Sequence, residues 1–270
     1  AERAQRTPHC ANNPPHYNPP MSLADDYRQQ FSWRPWNLIF DELPIEPGQT
    51  ILDLGCSVGD LSREFASRGC HVIGLDGNPE LIEAAIQAQL PHCEFRTYDL
   101  RNPPSSGIHV DGIWCSFVPS YFINLVAMLR RWAPVLNPGG WIAITEIDDF
   151  FGHEPLSART KSLLQTFTAE AFAAGRYDFD MGSKLEGFLA QAGFAVSRVL
   201  TLPDQELSFQ GAALPEVVEA WRTRFQRMPH LQALCGAEFP QVREEFLACL
   251  SRPDHLSTAK VVTCIATKTD

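Results

Sequence analysis

The sequence predicts an α/β fold, a doubly wound parallel sheet of about seven strands covered by helical insertions. Three observations carry that expectation. Short apolar runs alternate with stretches of helical periodicity from Thr50 to Ile147. A glycine turn, residues 55–59, joins the first run straight to the first helix. Breakers such as Asn137-Pro-Gly-Gly140 separate the units. The chain has 270 residues, 44% of them hydrophobic, enough to fill a core and too many for wholesale disorder.

Taken in order, residues 1–21 are polar and proline-rich, an arm outside the fold and open to disorder. Residues 25–43 read as a helix broken near Pro35, with Phe31, Trp33 and Trp36 close together. A buried strand at 50–54 runs into the glycine turn, and the next helix ends at Arg68 with Gly69 as its stop. A second strand at 71–75 ends on Asp76. Asn78 caps a helix that has Pro79 at its first position and runs to about Leu90. Residues 93–98 and 110–117 supply two more strands. Tyr121, Phe122, Leu125, Val126, Leu129 and Trp132 recur at helical spacing, and 141–147 is a fifth strand.

Beyond it, Leu163, Leu164, Phe167 and Phe172 mark a helix, and Leu185, Phe188, Leu189 and Ala192 another, stopped by Gly193. Residues 194–202 read as a strand, 214–228 and 239–250 as helices, and 259–267 as the closing strand. The helical additions at 22–43, 150–183 and 208–254 are expected to lie over one sheet, so that 22–270 forms one domain.

Lys and Arg total 22 against 32 Asp and Glu, a formal charge of −10. Such a surface repels nucleic acid and anionic lipid, so neither is an expected partner; a monomer or homodimer acting on a small molecule is. The eight cysteines show no C-x-x-C and no metal-ligand spacing, which suits a reducing cytoplasm. The first 20 residues lack the apolar segment of a signal peptide. Residues 112–129 carry no charge, but Pro119 and Asn124 interrupt them, so no membrane span is expected.

The informative stretch is Asp53-Leu-Gly-Cys-Ser-Val-Gly59. A turn from a buried strand into a helix leaves backbone N–H groups facing whatever sits there, and glycines admit a close approach. A plain tight turn is one reading. The dinucleotide pattern G-x-G-x-x-G fails, because Ser57 and Asp60 hold its second and third glycine positions. Gly55-Cys-Ser57-Val-Gly59 also matches G-x-S-x-G, the nucleophile elbow of α/β-hydrolases, with Ser57 as nucleophile. It follows the first strand, however, and no oxyanion-hole segment precedes it.

The same stretch resembles the first motif of class I S-adenosylmethionine-dependent methyltransferases, D/E-x-G-x-G-x-G, with Ser57 in place of the middle glycine. The resemblance continues through Asp76 at the end of the second strand, Tyr98-Asp99-Leu100 after the third, and Asn137-Pro-Gly-Gly140 before the fifth. It covers residues 50–147 and implies a Rossmann-like fold with S-adenosylmethionine as cofactor and S-adenosylhomocysteine as product. It implies that Asp53, Gly55, Ser57 and Gly59 line the cofactor turn and that Asp76 and Gly77 meet the ribose. Asp99 and Leu100 would meet the adenine, and Ser116 and Phe117 the methionine end. The layout is similar to methyltransferases of quinone biosynthesis and natural-product tailoring.

Methyl transfer is an in-line displacement on an activated cofactor, so the protein supplies alignment and excludes water. A base is needed only for a protonated nucleophile. Glu146, Asp148 and His153 are the candidates near the sheet edge, with Tyr121 beside them, and no metal is expected. Aromatic residues including Tyr121, Phe151, Tyr177 and Trp221 favour a small, partly apolar or aromatic acceptor. Selectivity is expected in Phe117, Tyr121, Phe151, His153 and Tyr177. A cofactor-binding protein without catalysis is a further alternative.

Overall fold

A computed structural model describes residues 22–102, 104 and 107–269; the expected arm at 1–21 lies outside the described residues. The strands are β1 (Thr50–Leu54), β2 (His71–Asp76), β3 (Cys93–Thr97), β4 (Val110–Ser116), β5 (Leu136–Asp148), β6 (His153–Glu154), β7 (Phe194–Leu202), β8 (Leu256–Ser257) and β9 (Lys260–Lys268). Seven of them form one sheet in the order β3-β2-β1-β4-β5-β9-β7. Strands β1 to β5 pair in parallel, while β9 runs antiparallel to both β5 and β7. The sheet is therefore mixed rather than wholly parallel. An apolar run encodes burial but not direction, so the reversal of β9 leaves no trace in its composition. The two-residue pair β6–β8 was equally invisible to periodicity.

The helices are α1 (Leu23–Ser32), α2 (Asn37–Phe40), α3 (Asp60–Ser67), α4 (Pro79–Gln87), α5 (Leu125–Trp132), α6 (Ala158–Ala173), α7 (Leu185–Gln191), α8 (Pro215–Gln226), α9 (Pro229–Cys235) and α10 (Phe239–Leu250). Local chemistry sets several ends. Gly69 follows α3 at φ 85°, and the Asn78 side chain accepts from the Glu80 and Leu81 N–H groups at the start of α4. One expectation fails: Tyr121 and Phe122 are not on α5. Pro119 opens a separate single turn, and Asn124 caps α5 by accepting from Ala127 N at 2.9 Å.

The sheet separates two apolar layers. One holds Leu52, Leu54, Ile113 and Ile144 against α5 and α7. The other joins Ile51, Trp114 and Trp141 to α2 and α3, and on to Phe151 from the turn after β5 and Trp221 and Phe246 from the later helices. The carboxyl ends of β1, β2 and β4 open between these layers and the added helices, as open α/β sheets place their ligands. Among the described residues no helix is long and apolar enough to cross a membrane.

Candidate active site

A cavity of about 1280 Å³ lies at those strand ends. The turn after β1 forms its floor. Gly55 has φ 80°, and a Cβ there would stand 2.2 Å from a Val118 methyl, so only glycine allows the turn to pass under the loop after β4. Gly59 has φ 83° and starts α3, and a Cβ on it would meet Phe95 at 2.7 Å. Ser57 between them has φ 51°, a conformation costly for an L-residue. Its N–H donates to Asp76 Oδ2 at 3.0 Å, and Asp76 Oδ1 accepts from Asn78 N at 2.8 Å. One carboxylate thus ties the ends of β1 and β2 together and leaves lone pairs for a ligand.

Asp53 is 1% exposed and accepts from Ser62 Oγ at 2.6 Å. Burial pushes its carboxyl up to about 7, against the lowering effect of Ser62. Asp99 is exposed and accepts from Arg101 through both oxygens. The Arg101 side-chain hydrogen bonds hold its carboxyl below the usual carboxylate range. Ser116 and Phe117 close the wall after β4, where Phe117 sits at φ 55° and donates its N–H to Thr145 O at 2.8 Å.

Of the ten residues expected at the cofactor, nine line this cavity, and Gly59 lies just behind it as the start of α3. The residues suit a polar, elongated ligand. The Ser57 and Ser116 hydroxyls are buried without a protein partner, and Asp76 has acceptor capacity to spare. A family model described as "Methyltransferase domain" matches residues 26–199.

The chain belongs to that methyltransferase domain family. The class I, S-adenosylmethionine-dependent lineage expected from the glycine turn is thereby shown, and the fold agrees with it. Among curated relatives, trans-aconitate 2-methyltransferase of Rhodococcus jostii is 26% identical over 232 residues, 82% of this chain and 87% of that one. Its counterpart from Mycobacterium tuberculosis is 30% identical over 113 residues, 41% of this chain; the match spans only 42% of that relative's length. Among solved structures, the mycolic acid cyclopropane synthase CmaA1, complexed with SAH and CTAB, superposes with a TM-score of 0.58 at 17% identity. That match covers 86% of this chain and 82% of the other.

The candidate bases are placed differently from the expectation. Glu146 is fully buried behind the cavity wall, accepting from Ser120 N at 2.9 Å and Ile147 N at 3.2 Å. Burial pushes its carboxyl up to about 7. It holds the loop that carries Tyr121 rather than facing the cavity. His153 is 1% exposed, on the far side of Phe150 and Phe151, where its Nδ1 meets His255 Nε2 at 2.9 Å. Neither lines the cavity: Glu146 is buried within β5 and His153 beneath the later helices' aromatic side chains. Glu146, Asp148 and Asp149 do not converge either: Asp148 accepts from Ser183 N and Asp149 from Thr258 Oγ1.

Phe117, Tyr121 and Tyr177 do line the cavity, with the Tyr121 and Tyr177 rings 4.8 Å apart; Phe151 is core. The hydrolase alternative finds no support, since the Ser57 hydroxyl has no hydrogen-bond partner and hence no base within reach. The sequence reading missed Tyr27 and Arg34 from the amino-terminal segment and Arg176 and Arg224 from the later additions. Nothing local marks them, for their roles exist only once these distant segments come together around one cavity. Since the Ser57 hydroxyl makes no hydrogen bond to the protein, Ser57→Gly is expected to keep the fold and gain up to about 1 kcal/mol by relieving the left-handed backbone. Thermal melts of the two proteins check this, and a loss beyond about 1 kcal/mol contradicts it.

Proposed function

We propose that this protein transfers a methyl group from S-adenosylmethionine to a small, partly aromatic or apolar acceptor bound in the same cavity. The observation that carries the reading is the mixed lining of that cavity, polar strand ends and aromatic additions together. Ser57, Asp76, Asp99 and Ser116 from the strand ends line it together with Tyr27, Phe150, Tyr177 and Phe179 from the segments added to the sheet.

The cofactor, when bound, supplies an electrophilic methyl on a sulfonium. The residues do the rest. Asp76 accepts from a cis-diol, Asp99 from an amino group, and the Ser57 and Ser116 hydroxyls complete the polar contacts. Phe117, Tyr121 and Tyr177 flank the acceptor and keep water from the line of displacement. No metal is assigned, because Glu146 and Asp148 at the end of β5 and Asp149 just past it already serve local hydrogen bonds. The net charge of −10 and the free cysteines among the described residues favour a small-molecule acceptor and a cytoplasmic setting.

Titration calorimetry tests the reading. S-adenosylhomocysteine is expected to bind at micromolar strength and NAD to give no heat. Silence from S-adenosylhomocysteine would sink the proposal. A fluorophosphonate probe is expected to leave Ser57 unlabelled.

A further inference from the structure

Hydrogen-bonding capacity in the cavity is spent unevenly. Five aspartates line it, and every one has a partner: Asp26 has Arg227, Asp53 has Ser62, Asp60 has Arg63, Asp99 has Arg101, and Asp76 has two backbone N–H groups. Five arginines also line it. Arg34 is held by Asp204 and Glu206, Arg101 by Asp99, and Arg227 by Asp26.

The other two arginines keep donors in reserve. Arg224 gives Nη2 to Glu206, but its Nε is buried and without a partner. The guanidinium of Arg224 is fixed over aromatic rings, 5.4 Å from the centroid of Phe150 and 5.2 Å from that of Trp221. The Arg176 guanidinium has no ion pair or side-chain hydrogen bond among the described residues. Tyr177, next to Arg176 in the chain, lies 4.6 Å from Phe179 between ring centroids, and Phe179 lies 5.4 Å from Phe150, the ring that Arg224 covers; burial keeps the Tyr177 phenol protonated and therefore a donor.

We infer that the acceptor is a small carboxylic acid whose carboxylate seats at the wall formed by Arg224, Arg176 and Tyr177. The inference rests on the methyl-transfer reading of this cavity and names its substrate class. An amine or an alcohol would need an acceptor on the protein; Asp26, Asp53 and Asp60 are engaged by Arg227, Ser62 and Arg63, and the spare capacity of Asp76 and Asp99 is assigned to the cofactor. A carboxylate needs donors, and guanidinium groups match it in charge and shape.

The same choice accounts for the missing base. Neither Glu146 nor His153 lines the cavity, and a carboxylate is ionised at neutral pH, so no proton has to be removed. One carboxylate oxygen forms the new O–CH3 bond as the S–CH3 bond breaks with its electron pair passing to sulfur. A carboxylate and a sulfonium become a methyl ester and a thioether, and the charges cancel.

The test is calorimetry on the full chain saturated with S-adenosylhomocysteine, using phenylacetate, hexanoate and succinate against phenethylamine and benzyl alcohol. At least one acid is expected to bind, and the amine and alcohol are not. Arg176→Gln and Arg224→Lys are expected to weaken that acid at least tenfold while leaving S-adenosylhomocysteine within twofold. Arg176 is exposed, so its variant folds even if the Arg224 variant does not. Binding of the amine or alcohol in preference to every acid overturns the inference. So does binding of S-adenosylhomocysteine with no heat from any acid, or an Arg176→Gln protein that holds its acid within twofold. If S-adenosylhomocysteine itself does not bind, the methyl-transfer reading fails first.

Discussion

Asp76→Ala is expected to weaken S-adenosylhomocysteine binding by about 1–3 kcal/mol, roughly five- to 150-fold. Two losses combine. The ribose diol loses its acceptor, and the N–H groups of Ser57 and Asn78 lose the carboxylate that now joins the ends of β1 and β2. Asp76→Asn separates them, because an amide keeps one oxygen for a backbone N–H but offers no charge to the diol. It is expected to fall between wild type and alanine. Calorimetry on the three proteins, with melts to confirm folding, decides the matter. Equal affinity in all three would remove Asp76 from the cofactor site.

The second large effect concerns acid stability and His153. Desolvation, with His255 adding to it, lowers the His153 imidazole from an ordinary 6.5 to about 3. The geometry agrees. If His255 Nδ1 donates to Gly211 O at 3.1 Å, its Nε2 accepts from His153 Nδ1, and both rings are neutral. His153 Nε2 is left buried without a partner, between Phe209, Trp221 and Phe246.

A folded pKa below the unfolded one contributes stability above pH 6.5 and loses it as the pH falls toward about 3. The unfolded chain takes up the proton and the folded one does not. Each pH unit in that window therefore removes up to about 1.4 kcal/mol. Asp53 and Glu146 act oppositely. Their carboxyls are raised to about 7, so their contribution is present at low pH and fades as the pH rises through that value.

Comparing His153→Asn with wild type isolates the histidine. Denaturant unfolding from pH 7 to pH 4 is expected to show the gap between the two proteins narrowing as the pH falls. A constant gap would mean that His153 does not titrate on unfolding. Since His153 lies outside the cavity, the same variant is expected to leave S-adenosylhomocysteine affinity within about 0.5 kcal/mol.

Much of the first half was legible because its signals are local. Asn78-Pro79 starts α4, Gly69 ends α3, and the Gly55–Gly59 turn admits few conformations, so neighbouring residues sufficed to read them. Strand ends that carry Asp53, Asp76, Asp99 and Ser116 follow from the same alternation, since parallel strands deliver their carboxyl ends to one edge. The placement of those residues around a single cavity was therefore implicit in the order of the elements. Tyr121 was misjudged for a local reason too: apolar spacing suggested a helix where Pro119 and Asn124 divide the segment.

The tertiary structure decided what depends on contacts between distant segments. Glu146 and His153 stand near the expected edge in sequence, yet a side chain's exposure depends on what packs over it. Ser120 covers the first, and His255, 102 residues away, covers the second. Arg34 is oriented by Asp204 and Glu206, more than 160 residues along the chain, and Arg224 shares Glu206 from α8. No spacing rule links those positions. A buried charge is tolerated only where its partners are assembled around it, so the donors left free in the cavity were set by how distant segments come together around it.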